Sequence, residues 1–161
     1  MEHQIIALKN VIRQELAVYK DILTKAKEKN EALLKNDVPL LDNIVACEWN
    51  LLKTIKQLET QREEMIAKIA ATSNVPQKEL RLENITDMLE GGLRNELSGL
   101  MTELMQVISE LTALNTVNKG LVKTHLGLAP NFRSSFNVSK YVFDTLIFKC
   151  LATHKAFGSK L

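Results

Sequence analysis

The sequence predicts an all-α fold: a long antiparallel helical hairpin followed by a third long helix, together forming an elongated, coiled-coil-like three-helix bundle. Apolar side chains recur at seven-residue steps through most of the chain, as one face of a long helix requires. Only three prolines interrupt the 161 residues. Aromatic residues make up 5% of the chain, and only Tyr19 and Trp49 precede residue 130. This composition argues against β-sandwiches and barrels, which favour aromatic and β-branched residues.

The first helix is predicted from Glu2 to about Lys35. Its apolar residues fall into two rows along one side of the helix, as expected of a single buried stripe. The first row is Ile5, Ile12, Tyr19, Ala26 and Leu33, and the second is Leu8, Leu16 and Leu23. At 1.5 Å per residue, such a helix is a rod of roughly 50 Å.

A short break at residues 36–39 separates the first helix from the second. Asp37 is a favourable N-cap, and Pro39 fits the first helical turn without loss of a hydrogen bond. The second helix is predicted to run to about Ala71, with Glu48 and Arg62 interrupting one of its apolar rows. Its apolar positions are Leu41, Ile44, Leu51, Ile55, Leu58, Met65 and Ile69. Because the connection is so short, the two helices should pack antiparallel.

The last long helix is predicted from about Leu93 to Leu128, after a weaker helical segment at residues 77–90 that ends or kinks at Gly91-Gly92. Its apolar stripe is three rows wide, whereas a two-helix seam needs only two. The rows are Leu97, Leu104 and Leu111; Met101, Ile108 and Val122; and Leu93, Leu100, Val107, Leu114, Leu121 and Leu128. Burial at the centre of a three-helix bundle is the simplest explanation, and contact with a second copy or a partner helix is the alternative.

Composition divides the chain into a helical bundle domain at residues 1–129 and a basic aromatic tail at residues 130–161. Residues up to 129 carry 16 basic and 18 acidic side chains, whereas the tail carries 5 basic side chains and Asp144. Periodicity does not decide whether the tail forms a helix or a strand. The overall charge of +2 is too small for a general nucleic-acid footprint. No apolar stretch is long enough for stable membrane insertion.

The residues do not assemble a recognisable reaction centre, so the sequence predicts no enzyme, catalytic residue, metal site or cofactor. His3, His125 and His154 are scattered and share no ligand spacing with the cysteines. Gly91-Gly92 lacks the remaining residues of a phosphate-binding loop.

Two asparagines, Asn115 and Asn118, replace apolar residues in consecutive rows of the last helix. A buried amide is unfavourable unless it is paired, and is commonly kept to fix register or partner choice. Alternatively, the helix leaves the bundle at this point and both amides are in water.

Two stretches resemble the FlgN-type flagellar export chaperones over roughly residues 5–128. The first resembles the family's helical hairpin through Glu31–Leu34, Asp37, Leu41, Ile44, Leu51-Leu52, Ile55, Leu58-Glu59, Arg62 and Met65-Ile66. The second, Leu111–Leu121, is similar to the family's pattern of leucines and two asparagines in its long C-terminal helix. The family usually has a basic residue where Glu48 stands, and its tail is usually short and polar.

This resemblance implies a cytoplasmic, non-enzymatic chaperone of the flagellar type III secretion system. Such a protein binds hook-associated proteins, prevents their premature association and delivers them to the export gate. An amphipathic segment of the client would then pack on the last helix. The expected client-binding residues are Leu111, Leu114, Asn115, Asn118, Leu121 and Val122. In this family, docking to the export gate is attributed to a tyrosine in the C-terminal part. The resemblance therefore implies that Tyr141, the only tyrosine in that part of this chain, is the expected contact with the export gate.

Two other functions remain open at this point. The first is a structural or adaptor coiled coil that forms a homodimer through the same apolar stripe. The second is an adaptor that contacts a membrane surface or RNA through the basic aromatic tail.

Overall fold

The computed structural model describes residues 2–76 and 80–128, with the side chains of 125–128 excepted. Within these ranges the chain forms four helices and no strand: α1 Glu2–Lys35, α2 Val38–Ser73, α3 Leu82–Asp87 and α4 Gly91–Leu128. The all-α prediction of a long hairpin plus a third long helix is therefore confirmed. The tail at residues 130–161, together with its predicted domain boundary, lies outside the described residues.

The connection between α1 and α2 has the predicted capping residues. Asn36 adopts a left-handed conformation with φ 55°, and the Asp37 N–H donates a hydrogen bond of 3.0 Å to the Ala32 carbonyl. These features satisfy carbonyls at the end of α1. The Asp37 side chain accepts a hydrogen bond of 3.1 Å from the Leu40 N–H, and Pro39 lies in the first turn of α2. The chain therefore reverses direction within a few residues.

The described residues between α2 and α4 contribute to the apolar core of the bundle. The predicted weak helix at residues 77–90 is shorter in the structure, where only α3 is helical among the residues described. Leu80, Leu82 and Ile85 of this segment are buried in the core. Gly91 begins α4 with φ +66°, a backbone conformation that glycine adopts without steric cost.

Helix α1 packs against both α2 and α4, whereas the backbones of α2 and α4 approach each other at few points. The prediction that the last helix is central is therefore wrong, because α1 has this position. Both apolar rows of α1, which begin at Ile5 and at Leu8, are buried along their whole length. On α4, only the row of Leu97, Leu104 and Leu111 is buried throughout, and neighbouring rows are mostly half-buried.

The apolar core consists of two clusters. The main cluster extends through α1, α2, the segment around α3, and α4 as far as Leu111. The second, which we name the distal cluster, lies at the end of the bundle where α1 turns into α2. It contains the buried residues Ala32, Leu33, Leu41 and Ile44, with Leu121 and Val122 of α4 packed against them.

Ion pairs fix the direction of α4 relative to α1. Arg13–Glu96, Lys20–Glu103 and Lys27–Glu110 are each separated by the same number of residues, so the two helices run parallel. Lys9 also donates a hydrogen bond of 2.6 Å to Glu96, and this bond lowers the pKa of the Glu96 carboxyl below its ordinary value.

We expect reversal of two of these charges to weaken the packing of α4. The variant with Glu103→Lys and Glu110→Lys should lose about 1 kcal/mol of unfolding free energy, because ammonium groups then face each other at the half-exposed helix edge. The loss of unfolding free energy should be smaller at about 1 M salt, where surface charges are screened. Urea denaturation at low and high salt measures both effects. Adding Lys20→Glu and Lys27→Glu should restore stability; if it does not, the pairs do not set this register.

Candidate protein-binding site

A layer of polar residues separates the two apolar clusters on all three long helices. Lys29 and Asn30 lie on α1, Glu48 on α2, and Asn115 and Asn118 on α4. Four of these side chains are buried, and Asn30 is half-buried. On each helix these residues stand between those that contact the main cluster and those that contact the distal cluster. We call this group the polar layer.

Asn118 binds α4 to α1 within the polar layer. Its Nδ2 donates a hydrogen bond of 2.9 Å to the Ala26 carbonyl, and its Oδ1 accepts one of 2.8 Å from Asn30 Nδ2. Both functional groups of the Asn118 amide are therefore paired inside the protein. Such pairing fixes the register of two helices because a shift by one residue breaks both bonds.

Asn115, about one helical turn earlier, differs from Asn118 in the hydrogen bonding of its side-chain amide. Its exposure is 0%, and neither Nδ2 nor Oδ1 has a hydrogen-bond partner among the residues that the structure describes. Burying a polar group without a partner is unfavourable by about 1–3 kcal/mol. The packing of α4 is therefore weaker at this position than an apolar residue of similar size would make it.

Two buried ion pairs join α1 to α2. Lys29 Nζ lies 2.8 Å from Glu48 Oε2, and Arg62 Nε lies 3.0 Å from Glu15 Oε1. The acidic partner is on α1 in one pair and on α2 in the other, and both pairs form together only in the observed register of the hairpin. Buried pairs of this kind contribute little net stability compared with apolar residues, but loss of one partner is strongly destabilising.

Four of the six expected client-binding residues lie on either side of the polar layer, and the two asparagines belong to it. Leu111 is fully buried in the main cluster, and Leu114 is half-buried against it. Leu121 and Val122 are half-buried against the distal cluster. Of the two alternatives for Asn115 and Asn118, the structure shows burial. The expected gate contact at residue 141 lies outside the described residues.

Large apolar side chains are exposed around the distal end. Leu34 and Leu40 flank the turn between α1 and α2 and are 63% and 42% exposed, and Val117 on α4 is 54% exposed. Single exposed apolar residues are ordinary, whereas a contiguous group of them is typical of a surface that binds another protein.

Sequence reasoning missed Lys29 and Asn30, the α1 residues of the polar layer, and Glu15, which pairs with Arg62 on α2. Glu15 and Lys29 occupy the seven-residue steps that follow Leu8 and Ile22. On α2, Glu48 and Arg62 alternate with apolar residues at the same spacing. Two rows with the same alternation and the same order of an acidic residue before a basic one are a signal for antiparallel pairing, and this signal is readable from the sequence.

The described part of the chain shows no group of three or more His, Cys, Asp or Glu side chains that could hold a metal ion. No helix within the described ranges has the length and apolarity that a membrane span requires.

These features define a class of elongated, all-α proteins in which one long helix leaves apolar surface half-covered. The model of the FlgN protein family matches residues 1–140, and the chain belongs to this family. The family consists of flagellar export chaperones and not of enzymes, so the general role is that of a chaperone in flagellum biogenesis. A search of curated proteins and a search of solved structures found no match to the chain.

Proposed function

We propose that this protein binds hook-associated proteins in the cytoplasm, prevents their premature association and delivers them to the flagellar export gate. The proposal develops the general chaperone role of the FlgN family. The client would present an amphipathic helix, which packs its apolar face into a groove on the chaperone.

The observation that carries the proposal is the incomplete burial of α4 near the distal end. Leu114, Leu121 and Val122 are half-buried although they continue apolar rows, and Val117 is exposed beside them. A client helix on this side would remove the remaining apolar surface from water, at about 25 cal/mol per Å² before ordering costs.

The six expected residues have two roles in this proposal. Leu114, Leu121 and Val122 are accessible and would contact the client directly. Leu111, Asn115 and Asn118 are buried, so they position α4 and become contacts only where α4 separates from α1. Tyr141 remains the proposed contact with the export gate.

The proposal is tested with purified hook-associated proteins from the same genome. Replacing Leu114 and Leu121 with aspartate should weaken client binding at least about tenfold, since two charges would enter an apolar interface. Isothermal titration measures the affinity, and circular dichroism checks that the variant stays helical.

A matched control places two charges elsewhere on α4. Met105→Asp with Gln106→Asp changes exposed residues away from the distal end and should leave the affinity unchanged. Undiminished binding by the helical Leu114 and Leu121 variant would refute the proposed surface. Absence of binding by the wild type would refute the proposed clients.

A homodimer through the same half-buried rows is the alternative. Light scattering distinguishes the two, because a stable dimer without client favours the structural role, whereas a monomer that gains a partner favours the chaperone.

A further inference from the structure

We propose that the distal cluster of the hairpin is the second half of the client site, and that the end of α4 is a latch that covers it. The inference rests on the proposed chaperone function and adds a surface to it. The latch comprises α4 from Asn115 to residue 124. When it lifts, a client helix would enter between α4 and the hairpin.

The two-cluster core makes opening at this end separable from global unfolding. Among the residues whose side chains the structure describes, the distal cluster contains four buried apolar residues, and the polar layer stands between it and the main cluster. Lifting the latch therefore exposes this small cluster while the main core stays packed. Proteins commonly open in such local units, and those with few buried apolar contacts open most readily.

Asn115 weakens the closed latch. Within the described part of the chain its amide has no hydrogen-bond partner while α4 is docked, and water would satisfy it when α4 lifts. Asn118 acts against opening, because its two hydrogen bonds to α1 break when the latch lifts. The balance of one unpaired and one paired amide keeps the latch closed but easily opened.

The vacated surface specifies the chemistry of its occupant, because α4 itself is the template. An incoming helix meets apolar residues of the hairpin and, beside them, Asn30 Nδ2 and the Ala26 carbonyl, which Asn118 had paired. It would therefore carry an amide side chain followed, three and four residues later, by two apolar residues, as in Asn118, Leu121 and Val122. It would run parallel to α1, as α4 does.

The test uses the full-length protein and a fluorescein-labelled peptide of residues 104–124 of this chain as the probe. Asn115→Leu removes the unpaired amide at similar size, so it should slow hydrogen exchange at residues 115–124 about tenfold. The affinity for the peptide should fall by the same factor, since both depend on the opening equilibrium. Exchange at residues 97–107 should not change.

Two further variants serve as controls for misfolding and for non-specific effects. Asn115→Asp places a carboxylate where the amide is buried, so it should speed exchange and strengthen peptide binding. Thr116→Ser changes an exposed residue in the same turn of α4 and should alter neither measurement. The latch is refuted if both Asn115 variants bind the peptide as the wild type does, or if their exchange rates shift in the same direction.

The outcome is independent of the hook-associated proteins. A confirmed latch in a protein that binds no hook-associated protein would refute the proposed clients alone. Client binding that persists with unchanged exchange and peptide affinity in the Asn115 variants would refute the latch alone.

Discussion

Replacing Glu48 with lysine is expected to lower the free energy of unfolding by about 3–5 kcal/mol. The Glu48 side chain is fully buried and lies 2.8 Å from Lys29, whose side chain is only 7% exposed. The substitution removes the carboxylate that lies beside Lys29 and puts a second ammonium group in its place. Urea denaturation, followed by circular dichroism, measures the loss.

The reciprocal exchange separates the charge pair from other effects of the substitution. Lys29→Glu combined with Glu48→Lys restores opposite charges across the same helix contact and should recover most of the lost stability. Gln57→Lys adds a lysine at an exposed position of α2 and should change stability by no more than about 0.5 kcal/mol. A loss as small as that control would show that the Lys29–Glu48 pair does not constrain the hairpin.

The pair also gives a physical meaning to one departure from the family pattern. The sequence resembles FlgN chaperones, in which the position of Glu48 is usually basic. In this chain the residue opposite is Lys29, and the carboxylate of Glu48 balances its buried charge. We expect relatives with a basic residue at this position to carry an acidic one at the position of Lys29.

The boundaries of the long helices could be predicted from the sequence because local interactions determine them. The N-cap at Asp37, Pro39 in the following turn and the left-handed residue at Asn36 depend on residues within a few positions of each other. The burial of the apolar rows of α1 was also predictable, because apolar residues that recur at this spacing lie on one side of a helix.

The arrangement of the helices could not be predicted in the same way. The wide apolar stripe of α4 suggested a central helix. The width of a stripe shows how much surface a helix could bury, but it does not show how much the fold buries. The pairing state of Asn115 and Asn118 likewise depends on which α1 residues lie opposite. Asn30 and Ala26 become neighbours of Asn118 only once α1 and α4 are in register.

Replacing Leu111 with alanine is expected to lower the free energy of unfolding by about 2–5 kcal/mol. Its side chain has 0% exposure and belongs to the main cluster, so the substitution removes apolar contacts and leaves a cavity. Leu114→Ala is the matched control, one turn later on the same helix. Leu114 is half-buried, so its loss should be less than half as large.

The comparison decides whether the two leucines share one role. Leu111→Ala should weaken client binding only in proportion to its effect on folding, and saturating client concentrations should restore binding. Leu114→Ala should weaken binding while leaving most of the stability intact. Equal losses of stability in the two variants, measured by urea denaturation, would show that Leu114 belongs to the core. It would then have to be removed from the proposed client surface.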